Sequence, residues 1–593
     1  MKSLINYKGK SFTLIEILIS IFYISILSGL ILITFWNLLK TIIIGRLSLQ
    51  ILSLLEDEME YIKVVNYEDI GTTNGWPRGI FPSEKIVNLN GLNIKIKYFI
   101  RNIDNPLDGT VNSTPRDSAP ADQKLVELEG ECLNCSLKIK KQTLTFIIAP
   151  KTVESSTRNG SMFIRVINSS GNPVSYANIS VINNRISPPI VINDLSNING
   201  ELQLIDIPTG THAYEILATK ENYSSEKTYP PRDPQDPNSF NPIIPHQNII
   251  EGGLTIVTFV IDKLSNLKIQ TIDNFCKPMA NIPVILEGEN KIIGYYQDGT
   301  PVKKTIISTT TDQNGIKEIK IEWDNYFYKT DSSIFSLIGY NSSSPLNILP
   351  DKNYYLRLNM TTSSPRELLV TVKDINNEPI KDAEVEIRNN NFQKKLFTNQ
   401  MEIRNASWTN YFFDYSENIL LTEERVTLKS YNNLYPTNTQ DWLILPTIDI
   451  GTSSNSKIIS FGWEPISQPP NTDIKFQIAF NNDNSSWNFI GPDGTSNSYF
   501  TSSPVNLSIL TNGYRYFRFK VYLNTNDENQ TPVLEKMYIN FTSNCLSPNQ
   551  VIFQKLSQDD YTLNISKPGY RSTTTQIYIN KIYQEIEIIL QPQ

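Results

Sequence analysis

Residues 162–183, MFIRVINSSGNPVSYANISVIN, decide how most of this chain reads. Apolar side chains alternate in MFIRVI and again in ANISVIN, the period-two pattern of strands with one buried face. Ser-Ser-Gly-Asn-Pro between them supplies the turn. Residues 199–223, NGELQLIDIPTGTHAYEILATKENY, continue with an Asn-Gly turn, a strand and a final hairpin. The same order recurs at residues 264–290 with 310–323 and opens a third time at 366–389, so the chain is a repeat array. The third copy lacks its closing half near residue 410. It returns at residues 551–592, VIFQKLSQDDYTLNISKPGYRSTTTQIYINKIYQEIEIILQP.

Gly171, Pro173, Val174, Ala177, Gly200, Ile207, Gly210, Tyr214 and Tyr223 match a GxPVxxAxVxV stretch followed by NGxxxLxxIPxGxY. This pattern resembles the carboxypeptidase regulatory-like, or transthyretin-like, β-sandwich. The resemblance implies a structural module without peptidase chemistry. The expected modules span 158–262, 263–362, and 366–401 together with 545–593. PPRDPQDPNSFNPIIPHQN, between the first two, reads as an ordered excursion or stiff connector.

An insert at 402–544 splits the third module, which a sandwich loop tolerates when the two ends of the insert lie close together. Its GPDG and RYFRFKVYLNTNDENQTPVLEKMYINF resemble a jelly-roll related to galactose-binding and discoidin-like domains. Trp463, Trp487 and Tyr514, with Phe489, Tyr499 and Tyr516, are candidates for a carbohydrate platform. The competing reading makes these rings core, because alternating aromatics are what such a sandwich is built from.

Upstream of the repeats, residues 12–39 form an apolar run with a single formal charge, Glu16, long enough to span a bilayer, which takes about 20 residues. A lone carboxylate there is costly unless partnered, so Glu16 calls for a role. The short leader, residues 1–11, holds Lys2, Lys8 and Lys10 and no acid, which suits retention on the cytoplasmic side. Phe12-Thr13-Leu14-Ile15-Glu16 after such a leader resembles the class III signal of type IV pilins and of type II secretion pseudopilins. The resemblance implies a prepilin peptidase that cuts between Ser11 and Phe12 and methylates Phe12. It also implies that Glu16 pairs with the Phe12 amino group of a neighbouring subunit, relieving two buried charges at once. The family prefers Gly before the cut; Ser11 is small enough to fit and is read as slowing the step.

The apolar pattern continues past the span and turns amphipathic through Met59 and Ile62, so one helix from about residue 12 to 63 would be roughly 75 Å long. Residues 40–150 resemble the head of minor pilins of the PilV kind, a small sheet over that helix. Within it, Asp104, Asn105, Asp108 and Gly109 lack the ligand series of a calcium loop and read as a turn. Cys132-Leu133-Asn134-Cys135 lacks a second CxxC or a nearby His for zinc and does not open a helix as a redox motif would. It reads as a hairpin-tip disulfide or as plain thiols. Nothing in the sequence says whether Cys276 and Cys545 meet.

A net charge of -7 over 593 residues, with Lys and Arg spread evenly, offers no nucleic-acid patch. Two histidines, His212 and His246, make no catalytic set with Ser, Cys or Asp, and there is no phosphate loop and no HExxH. A Lys to Asn isopeptide bond at Lys373 has no dedicated signature. The expected fold is mainly β and multidomain, with a long N-terminal helix, transmembrane in its first half, a small α+β head and several β-sandwich modules. The expected protein is a non-enzymatic minor or tip pilin, without cofactor or metal, displaying sandwiches for adhesion. Its expected partners are prepilin peptidase, other pilin subunits, the inner membrane before assembly and surface glycans. Its expected location is the cytoplasmic membrane and then the cell surface. The alternatives are a type II secretion pseudopilin and a plain membrane-anchored surface or carbohydrate-binding protein.

Overall fold

The computed structural model describes residues 13–593 except 115, 136, 138, 152–157, 331–333, 363–365, 406, 452–455 and the side chain of Glu16. It is mainly β and multidomain, and it divides into two compact units, described separately. Unit 1 comprises residues 1–263 with 292–302, and unit 2 comprises 264–291 with 303–593.

Unit 1 begins with the helix Leu14–Val64, 51 residues without interruption. Among the described residues it alone is long and apolar enough to cross a membrane. Leu14, Phe22, Leu30 and Trp36 on its first half are exposed, whereas Ile51, Leu55 and Ile62, which share one face, are buried. That face lies under an antiparallel meander of Glu84–Leu89, Leu92–Ile103, Gln123–Cys132 and Gln142–Ile148. Ile94, Ile96, Tyr98 and Ile100 alternate inward from the long second strand and complete the core with Val126 and Leu128. Gly130 permits the close approach, since a Cβ there would lie 2.6 Å from the Ile51 side chain. Glu58, on the helix, accepts the Tyr98 hydroxyl at 2.8 Å and the Lys85 ammonium at 2.5 Å, pinning helix to sheet.

The first sandwich of unit 1 sets Gly160–Ile167, Glu201–Ile207 and Leu254–Val260 against Asn178–Asn183, Ile190–Leu195 and Gly210–Thr219. Its core holds Ile164, Val166, Val181, Tyr214 and Phe259, so the alternation read from the sequence is the inward face. The proline-rich excursion is ordered, with Asn241–Pro242 pairing to Ile292–Tyr295.

In unit 2, a second sandwich faces Ser265–Ile272, Ile316–Ile321, Phe335–Tyr340 and Asn353–Thr362 against Pro283–Gly288, Ile306–Thr310, Asp324–Thr330 and Leu346–Ile348. A third places Glu367–Asp374 between Gln550–Phe553 and Tyr583–Leu590, with Glu384–Arg388, Gln393–Phe397, Asp559–Ser566 and Thr573–Ile579 opposite. In all three modules the first strand runs parallel to the last. Each first strand ends in the same turn, where a side-chain oxygen of Asn168, Asp273 or Asp374 accepts the amides two and four residues on. A bridge to proline follows at the same spacing, Ile167 to Pro173, Ile272 to Pro278 and Lys373 to Pro379.

The insert is a two-sheet sandwich. Met401–Arg404, Lys536–Thr542, Lys457–Glu464 and Val505–Asn506 form one sheet; Asp414–Tyr415, Asp441–Ile444, Tyr516–Thr525, Thr472–Asn481 and Ile448–Asp449 form the other. Met401 pairs with Phe541, so the two ends of the insert are neighbours. Phe461, Phe476, Phe517, Phe519 and Phe541 fill it.

Candidate functional site

Ser11 and Phe12 lie outside the described residues, as does the side chain of Glu16. What is described at this end is the helix start, with Ile17 N–H donating to Thr13 O at 3.2 Å. From there the span continues unbroken into the buried half of the helix, so any event at the amino terminus is connected rigidly to the head.

All four cysteines are paired. Cys132 and Cys135 close a local bond at the end of the strand Gln123–Cys132, with Cα atoms 5.8 Å apart. Cys276 and Cys545 meet although 269 residues separate them. Cys276 sits in the first turn of the second sandwich, and Cys545 follows the last strand of the insert. Phe275 stacks on Phe541 beside this bond at 5.6 Å between centroids. Gly451, at φ +89°, lies so near that a Cβ would come within 2.6 Å of the Cys276 sulfur.

The Asp104 loop brings Asp104, Asp117 and Asp122 together, each offering an oxygen within 4.8 Å of the others. A backbone amide engages one oxygen of each carboxylate. Val111 N–H donates to Asp104 at 2.6 Å, Ala119 N–H to Asp117 at 2.9 Å, and Asn105 N–H to Asp122. Burial, with the charges of Asp122, Asp117 and Asp108 adding to it and the Val111 amide opposing, pushes the Asp104 carboxyl up to about 6. Asp108 is not among the three converging carboxylates.

His212 Nδ1 contacts His246 O at 3.0 Å, and His246 Nδ1 contacts the Thr228 hydroxyl at 2.9 Å. Lys373 pairs with Glu587 at 2.6 Å across the parallel strands.

The insert separates the expected platform residues. Trp463 is 3% exposed and packs on Phe476 at 4.5 Å and Phe461 at 5.9 Å, so it is core and offers no ring to a sugar. The expectation fails because Trp463 lies on the inward register of Lys457–Glu464. Tyr514 rests on Phe480 at 4.5 Å, at the margin of that core. Trp487 differs: it is half-buried, on the outer side of the other sheet, with the Arg518 guanidinium 4.3 Å from its ring centroid.

Arg518 and Trp487 belong to a larger group that sequence reasoning missed. In Tyr516–Thr525, Phe517, Phe519, Val521 and Leu523 face the core, which turns Arg518 and Lys520 outward. Register places Trp442 opposite Tyr522, and Lys475 opposite Tyr522 on the other side. The Arg518 guanidinium lies 3.6 Å from the centroid of the Phe413 ring as well as beside Trp487. Lys520 stands 4.5 Å from Trp442 and 4.9 Å from Tyr522, and Lys475 stands 4.5 Å from Tyr499. Burial pulls both Arg518 and Lys520 below their usual range, with Asp414 partly offsetting it at Lys520. The signal was present in YRYFRFKVY, where aromatic and cationic residues share one alternate register.

No protein-family model and no curated protein sequence matches the chain. Among solved structures it aligns with the TIE protein of Bacillus anthracis, at 11% identity over 86% of this chain and 73% of that one, with a TM-score of 0.16. It also aligns with a streptococcal ancillary pilin, at 9% identity over 73% and 99%, TM-score 0.13. A third is the shaft pilin SpaA of Lactobacillus rhamnosus GG, at 8% identity over 34% and 98%, TM-score 0.15. Scores this low establish neither a shared fold nor a shared function.

Proposed function

We propose that the chain is a non-enzymatic type IV prepilin-like subunit, a minor or tip pilin, that carries its sandwich array to the cell surface. One observation carries this reading: the helix that begins within FTLIE, at Leu14, is a single 51-residue rod, unburied in its apolar half and packed under a four-stranded sheet in its second half. An ordinary anchor has no need of that continuity. A filament subunit does, because its apolar half must leave the bilayer and pack against other subunits while still holding the head rigidly. In this reading prepilin peptidase frees and methylates Phe12, and Glu16 pairs with the Phe12 amino group of a neighbour. More than 400 residues of added sandwich would crowd a closely stacked shaft, which favours the tip.

Amino-terminal sequencing of the mature protein, with surface immunolabelling of a Glu16→Ala variant, tests the proposal. A methylated Phe12, and a variant that inserts in the membrane but is lost from the surface filament, are expected. An intact Met1, or undiminished display of the variant, overturns the proposal in favour of a plain anchor.

A further inference from the structure

The outer face of the insert holds cations in an unusual setting. Arg518 and Lys520 are half-buried among rings, yet neither forms an ion pair with a carboxylate among the described residues. The Arg518 Nε donates instead to the Thr447 hydroxyl at 2.8 Å. Asp414, the acid whose charge bears on Lys520, is exposed and forms no ion pair with it. Three other cations of the insert do have acidic partners: Arg515 with Asp449, Arg404 with Glu402, Lys536 with Glu464. A cation that gives up water without an acidic partner is costly, and ring faces recover only part of the loss. Two such cations side by side, flanked by Lys475, leave a positive strip with flat apolar walls.

Resting on the reading of the chain as a displayed surface subunit, we infer that this face binds an acidic polysaccharide, with its rings packing on pyranose faces and Arg518 and Lys520 receiving carboxylates of uronate residues. Charge complementarity selects this occupant. A neutral glycan would leave both cations uncompensated. A polyphosphate such as single-stranded nucleic acid would also meet rings and cations. It carries its charge on a backbone away from the stacking base, however, whereas a uronate carries its carboxylate on the pyranose ring itself, which matches cations standing 3.6 to 4.9 Å from ring centroids. The platform is thereby moved from Trp463 and Tyr514 to the opposite sheet.

The test uses the full chain in detergent and polygalacturonate as probe, with dextran, poly-glutamate and oligo(dT) as comparisons, read by calorimetry or biolayer interferometry. Polygalacturonate is expected to bind, with affinity falling as salt rises and dextran not binding. The Arg518→Gln/Lys520→Gln double variant is expected to lose at least tenfold in affinity. Arg518→Lys is expected to retain most of it, which guards against a merely misfolded variant, and unchanged melting of the double variant provides the second guard. Absence of polygalacturonate binding, equal binding by the folded double variant, or preference for oligo(dT) or poly-glutamate overturns the inference. Processing at Phe12 is read independently, so failure of one reading is distinguishable from failure of the other.

Discussion

Replacing Cys276 and Cys545 with alanine, and separately Cys132 and Cys135, compares one chemistry in two loops. The first pair spans 269 residues with the insert inside the loop, and the second spans 3. Chain entropy assigns about 5.6 kcal/mol to the long loop, falling to about 5 kcal/mol if the folded insert is left out of it, and about 2 kcal/mol to the short one at 25 °C. The long-loop figure is insensitive to how the insert behaves. If the insert stays folded with its ends adjacent at Met401 and Phe541, the effective loop shrinks by roughly half, and each halving changes the term by only about 0.6 kcal/mol. Urea unfolding of the full chain in detergent, followed by near-ultraviolet circular dichroism with proteolytic mapping of each unit, measures both costs. The long-range pair is expected to cost about 3 kcal/mol more, and its loss to destabilise unit 2 alone. Equal costs, or free thiols at Cys276 and Cys545 on alkylation without reductant, would refute the reasoning.

Three further outcomes follow from the same structure. Asp104, whose folded carboxyl titrates near 6 and so prefers the protonated form, makes unit 1 more stable as pH falls from 7 through 6. Asp104→Asn is expected to raise the melting temperature at pH 7.5 and flatten this dependence; a rise on adding calcium to wild type would instead show that the three aspartates hold a metal. Glu322 in unit 2 behaves oppositely: burial opposes its charge, but Lys291 at 2.7 Å and Lys304 at 3.1 Å hold its carboxyl below the usual range. The stability from Glu322 is present above its unfolded value of 4.5 and is lost as pH falls through the lower folded value. Scanning calorimetry from about pH 5 downward should show the Glu322→Gln variant less acid-sensitive than wild type. Trp463→Ala should cost about 3–5 kcal/mol in urea unfolding while leaving polygalacturonate affinity of the folded protein unchanged.

The repeat array was legible because each of its devices is local. Asn168, Asp273 and Asp374 fold their own turns, the prolines sit at fixed offsets, and alternating apolar residues name the buried face without knowledge of the partner sheet. The long helix was legible for the same reason, and its observed range, Leu14–Val64, differs from the expected one by no more than two residues at either end. What escaped the sequence depends on pairing at a distance. Cys276 and Cys545 carry no spacing signal because their meeting follows from where the insert leaves the third sandwich. Val166, Thr271 and Val372 occupy the same position in the three modules, and their amides donate to Gly200, Gly315 and Asn549 respectively. Asn549 therefore stands where the other copies have the glycine of their Asn-Gly turns, and the insert and the cysteine arrive immediately before it.

The choice between the two readings of Trp463 has a similar limit. Trp463 and Trp487 are equal as aromatic residues, and only register separates them. Lys457–Glu464 turns Trp463 toward Phe476, while Tyr516–Thr525, in the other sheet, turns Arg518 outward beneath Trp487. Alternation in a single strand shows that two faces exist, but when both are aromatic it does not say which is dry. The cations decide it: a strand whose outward register reads Tyr516, Arg518, Lys520, Tyr522 cannot turn that face into a core without stranding two charges. In a sandwich built from aromatics, the ring adjacent to an unpaired cation is therefore a better guide to the outer face than the ring itself.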